Sequence, residues 1–423
     1  MECITERVGH SHETTTPNYP DLDARFNPLP TSRNLQALLK GNRIDVVVNK
    51  MNMEVELSID GKMLNKTADQ KRSLLIDVCL RGGLKKEILT DHLMSLAENN
   101  SYHPFANYLN ENEWDGIDRI SPVINAMNAK DKELASCVMR KFFIAVVASV
   151  FETPFSSKLI PVLQGGQSFR KTAFIKRFAT VFEGAFLEGQ EINPDSKDSV
   201  ISCINSLIVE LGELERTSRN SQGSLKAFIT KEVDTVRPPY GAKDIKKPRQ
   251  TSFIATVNVT GFLRDETGSS RYAVIELEAP IDMESVNQTL GWCYDNGRLS
   301  HQNPIELKQF WLQVYELYKS GESWHLTDTE LELAAKVNNE HNAKSSYYEA
   351  IVDRFLVDDP DKYIWEWVTA SEVCKLINTH IDKNRIVGKE LKRLAQEEKA
   401  IESKTGRSNA TLYRLPVSVR ISD

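Results

Sequence analysis

The chain has 423 residues, 40% of them hydrophobic and 26% charged, with a formal net charge of −6. That is the mix of a globular protein of about two to three domains, whose core is large enough to need no disulfide or metal staple. The charge excludes a globally basic, histone-like binder but leaves room for a local basic patch.

The six cysteines are scattered and form no C-x-x-C pair. They read as buried reduced thiols of a cytoplasmic protein rather than as metal ligands. The longest apolar run, Phe142–Phe151, is about half of the ~20 residues that span a bilayer, so it reads as a buried helix and no membrane partner is expected.

Residues 1–33 are rich in Thr, Pro, Asp and Asn and read as a flexible tail, with His10 and His12 in solvent. Residues 34–125 form a small mixed α/β domain. A short helix is expected at Asn34–Lys40, strands at Asp45–Lys50 and Met53–Ile59, a turn at Asp60-Gly61, and helical spacing at Leu84–Ala97.

Residues 126–325 carry the next domain. A long helix at Lys130–Phe151 precedes a short apolar strand, Leu159–Leu163. The strand runs into Gly165-Gly166 and then into helical spacing at Ala173–Phe182. Ile201–Val209, Thr251–Val257 and Tyr272–Leu277 read as further buried strands, which implies a parallel sheet with helices on its faces. Ile305–Tyr318 is an amphipathic helix.

Residues 326–423 read as a helical linker and a winged-helix-like domain. A helix near Leu326–Glu340 leads to helices at Ala370–Thr379 and Lys383–Glu398. A hairpin of Ile401–Thr405 and Thr411–Pro416 follows, turning around Gly406-Arg407-Ser408-Asn409.

The segment Gly165-Gly166-Gln167-Ser168-Phe169-Arg170-Lys171-Thr172 matches the nucleotide loop G-x-x-x-x-G-K-[ST] in its first glycine, its lysine and its threonine. Loop and helix N–H groups surround phosphates, the lysine balances their charge, and the hydroxyl holds Mg²⁺. Arg170 stands where the second glycine belongs, at a position where a Cβ crowds the phosphates or strains the backbone. The expected cofactors are ATP and Mg²⁺.

Downstream, Ser206–Leu214 is an apolar strand ending in acids. Glu210 and Glu213 are the candidates for metal binding and water orientation, with Glu210 joining Thr172 at the metal. Ile254–Asn258 is a second apolar strand, and its terminal amide, Asn258, can sense the γ-phosphate. Arg264 and Arg271 lie on a polar loop, from which an arginine can enter a neighbour's site. Lysine and threonine, acids, amide, arginine: this is the order in which a compact P-loop ATPase presents its site.

These stretches resemble the virulence-associated protein E group of phage and mobile-element ATPases, similar to superfamily 3 helicases. The resemblance rests on Tyr108-Leu109-Asn110, Trp114-Asp115-Gly116 and Arg119, Val209–Leu214, Leu225–Thr230, Arg237–Gly241, Thr256-Val257-Asn258 and Asp265–Tyr272. It covers roughly residues 100–280. It implies an α/β fold with a P-loop (AAA+/superfamily 3 helicase-like) parallel-sheet core, and a DNA-dependent ATPase of mobile-element replication. It further implies a homo-oligomeric ring, a hexamer, with Arg271 as the finger. The group often carries two arginines where this chain has Ser270-Arg271.

Superfamily 3 enzymes place a pore hairpin before the sensor strand. The resemblance suggests the same for Lys243, Lys246, Lys247 and Arg249, with Tyr240 stacking a base of single-stranded DNA. The basic C-terminal unit carries Lys383, Arg385, Lys389, Lys392, Arg393, Lys404, Arg407 and Arg414, so its second helix can enter the major groove of duplex DNA with the basic hairpin beside it. Two other classes stay open: a DNA-binding replication-initiation scaffold with a degenerate loop, and a phage-sensing regulatory or defence NTPase.

Overall fold

The computed structural model describes residues 17–193, 196–212, 225, 227–236, 244–263, 271–341, 345–356, 362–397, 400–406 and 410–419. The chain divides into two units: residues 1–259 with 265–339, and residues 260–264 with 340–423.

The first unit opens with α1 (Ser32–Gly41), capped by the Thr31 hydroxyl, which accepts from Asn34 N. Strands β1 (Ile44–Asn49) and β2 (Glu54–Ile59) pair antiparallel, and β3 (Lys62–Met63) extends the sheet. Helix α2 (Ala68–Arg81) was not expected. Its apolar stripe is thin, with only Leu75 and Cys79 buried, but Thr67 and Gln70 form a reciprocal capping box that marks its start. Helical spacing at Leu84–Ala97 yields a π-turn at Leu89–Leu93 followed by α3 (Met94–Glu98). Leu35, Val46, Leu57, Leu75 and Leu93 share one core. Residues 17–31 wrap against it: Tyr19 Oη donates to Gly82 O (2.6 Å), and Asn34 Nδ2 donates to Asp21 O and Leu29 O. The earlier part of the expected tail lies outside the described residues.

Helices α4 (Pro104–Asn110), α5 (Ile120–Asn125) and α6 (Lys132–Phe151) lead into a five-stranded sheet. By length and composition α6 is apolar enough to cross a bilayer. Here it is the core helix of the fold: Phe142, Phe143, Val146 and Val147 are buried, and Phe143 packs edge-on against Phe178, Phe310 and Trp311.

The sheet contains β4 (Ile160–Gln164), which precedes α7 (Lys171–Ala179), and then β5 (Phe186–Gln190). After α8 (Lys197–Ile204) come β6 (Ile208–Leu211), β7 (Val233–Val236), β8 (Ile245–Pro248), β9 (Ser252–Val257) and β10 (Tyr272–Glu276). Its order is β10-β4-β9-β6-β5, and every pairing is parallel. All six residues of β9 are buried, as a strand covered on both faces requires. The stretch Ile201–Val209, expected as one strand, is helical in its first half because the Ser196 hydroxyl caps α8. Strand β5 was not expected: it is half-exposed and lacks the apolar run that marks its neighbours. Strands β7 and β8 form a separate antiparallel hairpin inserted between β6 and β9. The unit continues through α9 (Met283–Leu290), the hairpin β11 (Trp292–Asp295) and β12 (Arg298–Gln302), α10 (Pro304–Lys319) and α11 (Asp328–Glu340).

The second unit contains α12 (Ser346–Phe355), β13 (Tyr363–Thr369), α13 (Ala370–Leu376), α14 (Asn384–Lys392), β14 (Glu402–Thr405) and β15 (Thr411–Val419). The strands form an antiparallel sheet ordered β13-β15-β14. Ile351, Val373, Val387 and Leu391 of the helices share a core with Val368, Tyr413 and Leu415 on one face of that sheet. The two helices and the hairpin match the sequence expectation. The strand β13 and the helix α12 were not expected.

Candidate functional site

Ligands of open parallel sheets sit outside the carboxyl ends of the strands. Here β4 ends at Gln164, and the glycine loop follows at that edge. Gly165 N bonds Val257 O at the end of β9, and Leu277 N bonds Gln164 O. The Phe169 ring closes over the two glycines. A Cβ on Gly165 would lie 2.7 Å from that ring and 3.1 Å from Leu277 Cβ, so only glycine fits.

Ser168 (φ 69°) and Arg170 (φ 64°) both adopt left-handed backbone. This is why glycine is favoured at position 170: the strain is in the backbone. The Arg170 side chain is exposed and acts electrostatically on Asp282. Gln167 is exposed at the loop tip.

Helix α7 begins at Lys171, whose side chain folds back over the loop. Its Nζ donates to Gly165 O (2.6 Å), Gly166 O (3.0 Å) and Asn258 Oδ1 (2.9 Å). One turn of contacts therefore joins the loop, the lysine and the amide at the end of β9.

The next residue makes the second half of the site. Thr172 Oγ1 donates to Glu210 Oε1 over 2.6 Å. Thr256 Oγ1 donates to the same oxygen over 2.9 Å. Glu210 lies opposite Ile254 in the sheet, so Thr256, two residues on, shares its face. Glu210 is 1% exposed, and its Oε2 is buried with no partner among the described residues. Burial pushes its carboxyl above the ordinary 4.5, while the two threonine hydroxyls and the backbone at Gly189 pull it back. In the sequence Thr256 enters only through the resemblance and not as a site residue. Its signal is its spacing, two residues before Asn258 on one strand.

An orphaned carboxylate oxygen beside a threonine hydroxyl suits a hard cation that keeps several waters and takes phosphate oxygens as its other ligands. The residues present therefore fit Mg²⁺, which Thr172 and Glu210 would hold. Among the described residues no cluster of three His, Cys, Asp or Glu offers an all-protein metal site.

Arg271 is not brought to this site. It precedes Tyr272, which pairs with Ile160, whereas the loop leaves the sheet at the Gln164–Glu276 end. The separation is about 13 Å of strand at ~3.3 Å per residue. Its Nε is buried without a partner among the described residues. Glu213, Tyr240 and Lys243 lie outside the described residues.

The expected basic DNA loop needs correction at two positions. Lys247 is 3% exposed, and its Nζ donates to Met51 O, Ile204 O and Asn205 Oδ1. Arg249 is also buried, held by Asp234 in two bonds of 2.6 and 2.9 Å, with its guanidinium 4.4 Å from the Phe228 ring centre. Both side chains fasten the root of the β7–β8 hairpin and cannot meet a phosphate there. Lys246 is exposed on β8.

The Trp114-Asp115-Gly116 and Arg119 stretch is also a fastening. Arg119 bonds both oxygens of Asp115 and also Glu306, and its backbone N bonds Gln313 Oε1 of α10.

No curated protein matches the chain. Two solved apo structures of the NrS-1 C-terminal region are similar at 14% identity. One spans 91% of this chain and 99% of that one with a TM-score of 0.45; the other spans 91% and 98% with a TM-score of 0.42. A family model described as the Virulence-associated protein E-like domain matches residues 109–343, more than half of the chain. The loop, the carboxylate strand and the amide strand all fall inside that match, and the chain belongs to the Virulence-associated protein E-like domain family.

Proposed function

We propose that the chain is an ATP-dependent DNA helicase or translocase of phage or mobile-element replication that works as a homo-oligomeric ring. The observation that carries this reading is the convergence of Lys171, Thr172, Glu210 and Asn258 at the carboxyl edge of one parallel sheet. Lys171 exchanges its loop carbonyls for the β and γ phosphates, and the N–H groups at the start of α7 take the phosphate oxygens. Thr172 and Glu210 hold Mg²⁺, which neutralises charge on the phosphates when bound. Asn258, already bonded to Lys171, positions the γ-phosphate. Glu213 is the second acid of this reading.

Arg271 faces the end of the sheet away from its own loop, so as a finger it serves a neighbouring copy, which supports a ring of heterologous contacts. The β7–β8 hairpin stands between the acid strand and the amide strand. Lys246, exposed on β8, supports a contact with single-stranded DNA in this reading, to which Tyr240 and Lys243 also belong. In the second unit, the order helix, strand, two helices, two strands supports a winged helix, with Lys383, Arg385 and Lys392 exposed for duplex contact.

ATPase rate with and without single-stranded DNA tests the reading. A DNA-stimulated rate that Lys171→Ala abolishes is expected, and a rate unchanged by that substitution would remove the site. Mixing the inactive variants Lys171→Ala and Arg271→Ala tests the ring. About a quarter of interfaces then regain a whole site, because each heterologous contact draws its loop and its arginine from different copies. A slowly hydrolysing initiation scaffold is the second reading, favoured by the strained backbone of Arg170.

A further inference from the structure

The antiparallel sheet of the second unit buries one face. Val368, Tyr413 and Leu415 point into the helical core. Alternation along the strands sends Trp365 and Trp367 of β13, Arg414 of β15, and Glu402 and Lys404 of β14 to the other face. Trp367 pairs with Arg414, and Arg414 pairs with Glu402, so the three lie in one row across the sheet.

Both indoles are half-buried and carry cations. Lys404 Nζ lies 3.9 Å from the Trp367 ring centre, and the Arg414 guanidinium lies 5.9 Å from that of Trp365. The row of Trp367 is exposed: the Arg414–Glu402 pair, 2.8 Å apart, is 45% and 64% exposed on its two sides. Two tryptophans with two cations on an open sheet face, in a chain of net charge −6, form a local arrangement that composition alone does not produce.

We infer that this outer face is a stacking platform for single-stranded DNA, with Trp365 and Trp367 each taking one base and Lys404 and Arg414 taking the adjoining phosphates. The ligand class rests on the DNA-handling function proposed above; the geometry selects the single strand. Residues two apart on a strand are about 6.7 Å apart. Bases within one strand of a duplex are only about 3.4 Å apart. Successive bases must therefore be splayed to reach both rings, which a duplex does not allow. A base on an indole is worth more than an exposed cation over it, so a base displaces Lys404 and leaves its charge for the phosphate. The exposed Arg414–Glu402 pair is weak and yields to a phosphate in the same way. The site is distinct from the β7–β8 hairpin and from the exposed cations at and beside α14.

The test uses the full chain without nucleotide. A thymidine oligonucleotide of about 20 bases carrying 5-iodouracil is photo-crosslinked, and the adducts are mapped by mass spectrometry. Adducts on Trp365 or Trp367 are expected. In fluorescence anisotropy, the double variant Trp365→Ala/Trp367→Ala should lose tenfold or more in affinity, and Lys404→Glu should weaken binding and flatten its salt dependence. Adducts confined to other segments, or an unchanged affinity in a double variant with native circular dichroism, would overturn the platform. If the double variant unfolds, Trp367→Leu with Lys404→Ala replaces it under the same criterion. Capture of a protein on this face with no effect on DNA would also overturn it. Lys171→Ala keeps the crosslink under this inference, so loss of ATPase and loss of the platform are separable results.

Discussion

Thr172 and Glu210 lie on different elements, and their side chains meet over 2.6 Å. The threonine follows the loop lysine, and the glutamate is the third residue of strand β6, next but one to β4 in the sheet. Glu210 Oε2 is left buried with no partner among the described residues, and Thr256 Oγ1 also donates to Oε1.

Glu210 is a buried acid whose carboxyl titrates above 4.5. The folded state therefore binds its proton more tightly than the unfolded chain does. Stability falls as pH rises from 4.5 through the raised value, and at neutral pH the ionised group is a net cost. Glu210→Gln should abolish hydrolysis and raise the melting temperature of the free protein at pH 7.5, by about 2–4 °C for each kcal/mol relieved. Magnesium with ATP should then stabilise the native protein more than the variant. Scanning calorimetry with and without ligand checks both, and a variant less stable than the native protein would contradict the argument.

Thr172→Val keeps the shape of the side chain but removes the hydroxyl. Magnesium affinity should fall about 10–100-fold, the cost seen when groups that support a metal site are lost. Thr172→Ser should recover most of it. The magnesium dependence of the ATPase rate reads this directly.

Asn258 Oδ1 accepts from Lys171 Nζ over 2.9 Å. An aspartate there turns the ammonium–amide bond into a full ion pair and competes more strongly with the phosphates for the lysine. Asn258→Asp should weaken ATP binding about tenfold. Asn258→Ala should leave binding close to native and slow hydrolysis about 100-fold, the usual cost of losing one oriented group in the transition state. Titration with a fluorescent ATP analogue separates the two.

Arg170 holds a left-handed backbone. That conformation costs a non-glycine residue about 1–2 kcal/mol. Glycine avoids this cost but loses about 0.5–1 kcal/mol through its freer unfolded chain. Arg170→Gly should therefore stabilise the protein slightly and raise nucleotide affinity, whereas Arg170→Ala should do neither. Denaturant melts of the three proteins decide the point.

Burial pushes Lys247 down to about 7 from 10.5. The folded state then binds fewer protons than the unfolded chain between those values, so stability should rise with pH from about 7 to 10.5. One proton gives a slope of about 1.4 kcal/mol per pH unit. Lys247→Met should flatten this slope. Burial, with Lys247 and Lys50 nearby, also lowers His103 to about 4, which adds a loss of stability between pH 6.5 and 4. Urea melts across pH 5 to 9.5 measure both windows.

The features legible in the sequence were those written within a short window. The apolar strand, the glycine pair and the helical spacing after Lys171 lie within about twenty residues, and β4, the loop and α7 form there. Helix α6 and strand β9 announced themselves by apolar runs for the same reason. Strand β13 is not legible although its Tyr-Ile-Trp-Glu-Trp alternation is local, because both tryptophans lie on the outer face and Val368 is its one buried residue.

By itself, then, the sequence determined where the glycine loop lies and which strands carry an acid and an amide at or just past their carboxyl ends, since local spacing dictates local backbone. Only the tertiary structure decided what those residues touch. Parallel register set Glu210 against Thr172 and Thr256, and set Arg271 at the far end of the sheet from its own loop. Lys247 read as a solvated DNA contact, yet its ammonium is bound by carbonyls 196 and 43 residues away in the chain. Burial depends on which distant segments pack together, and no window around Lys247 contains them.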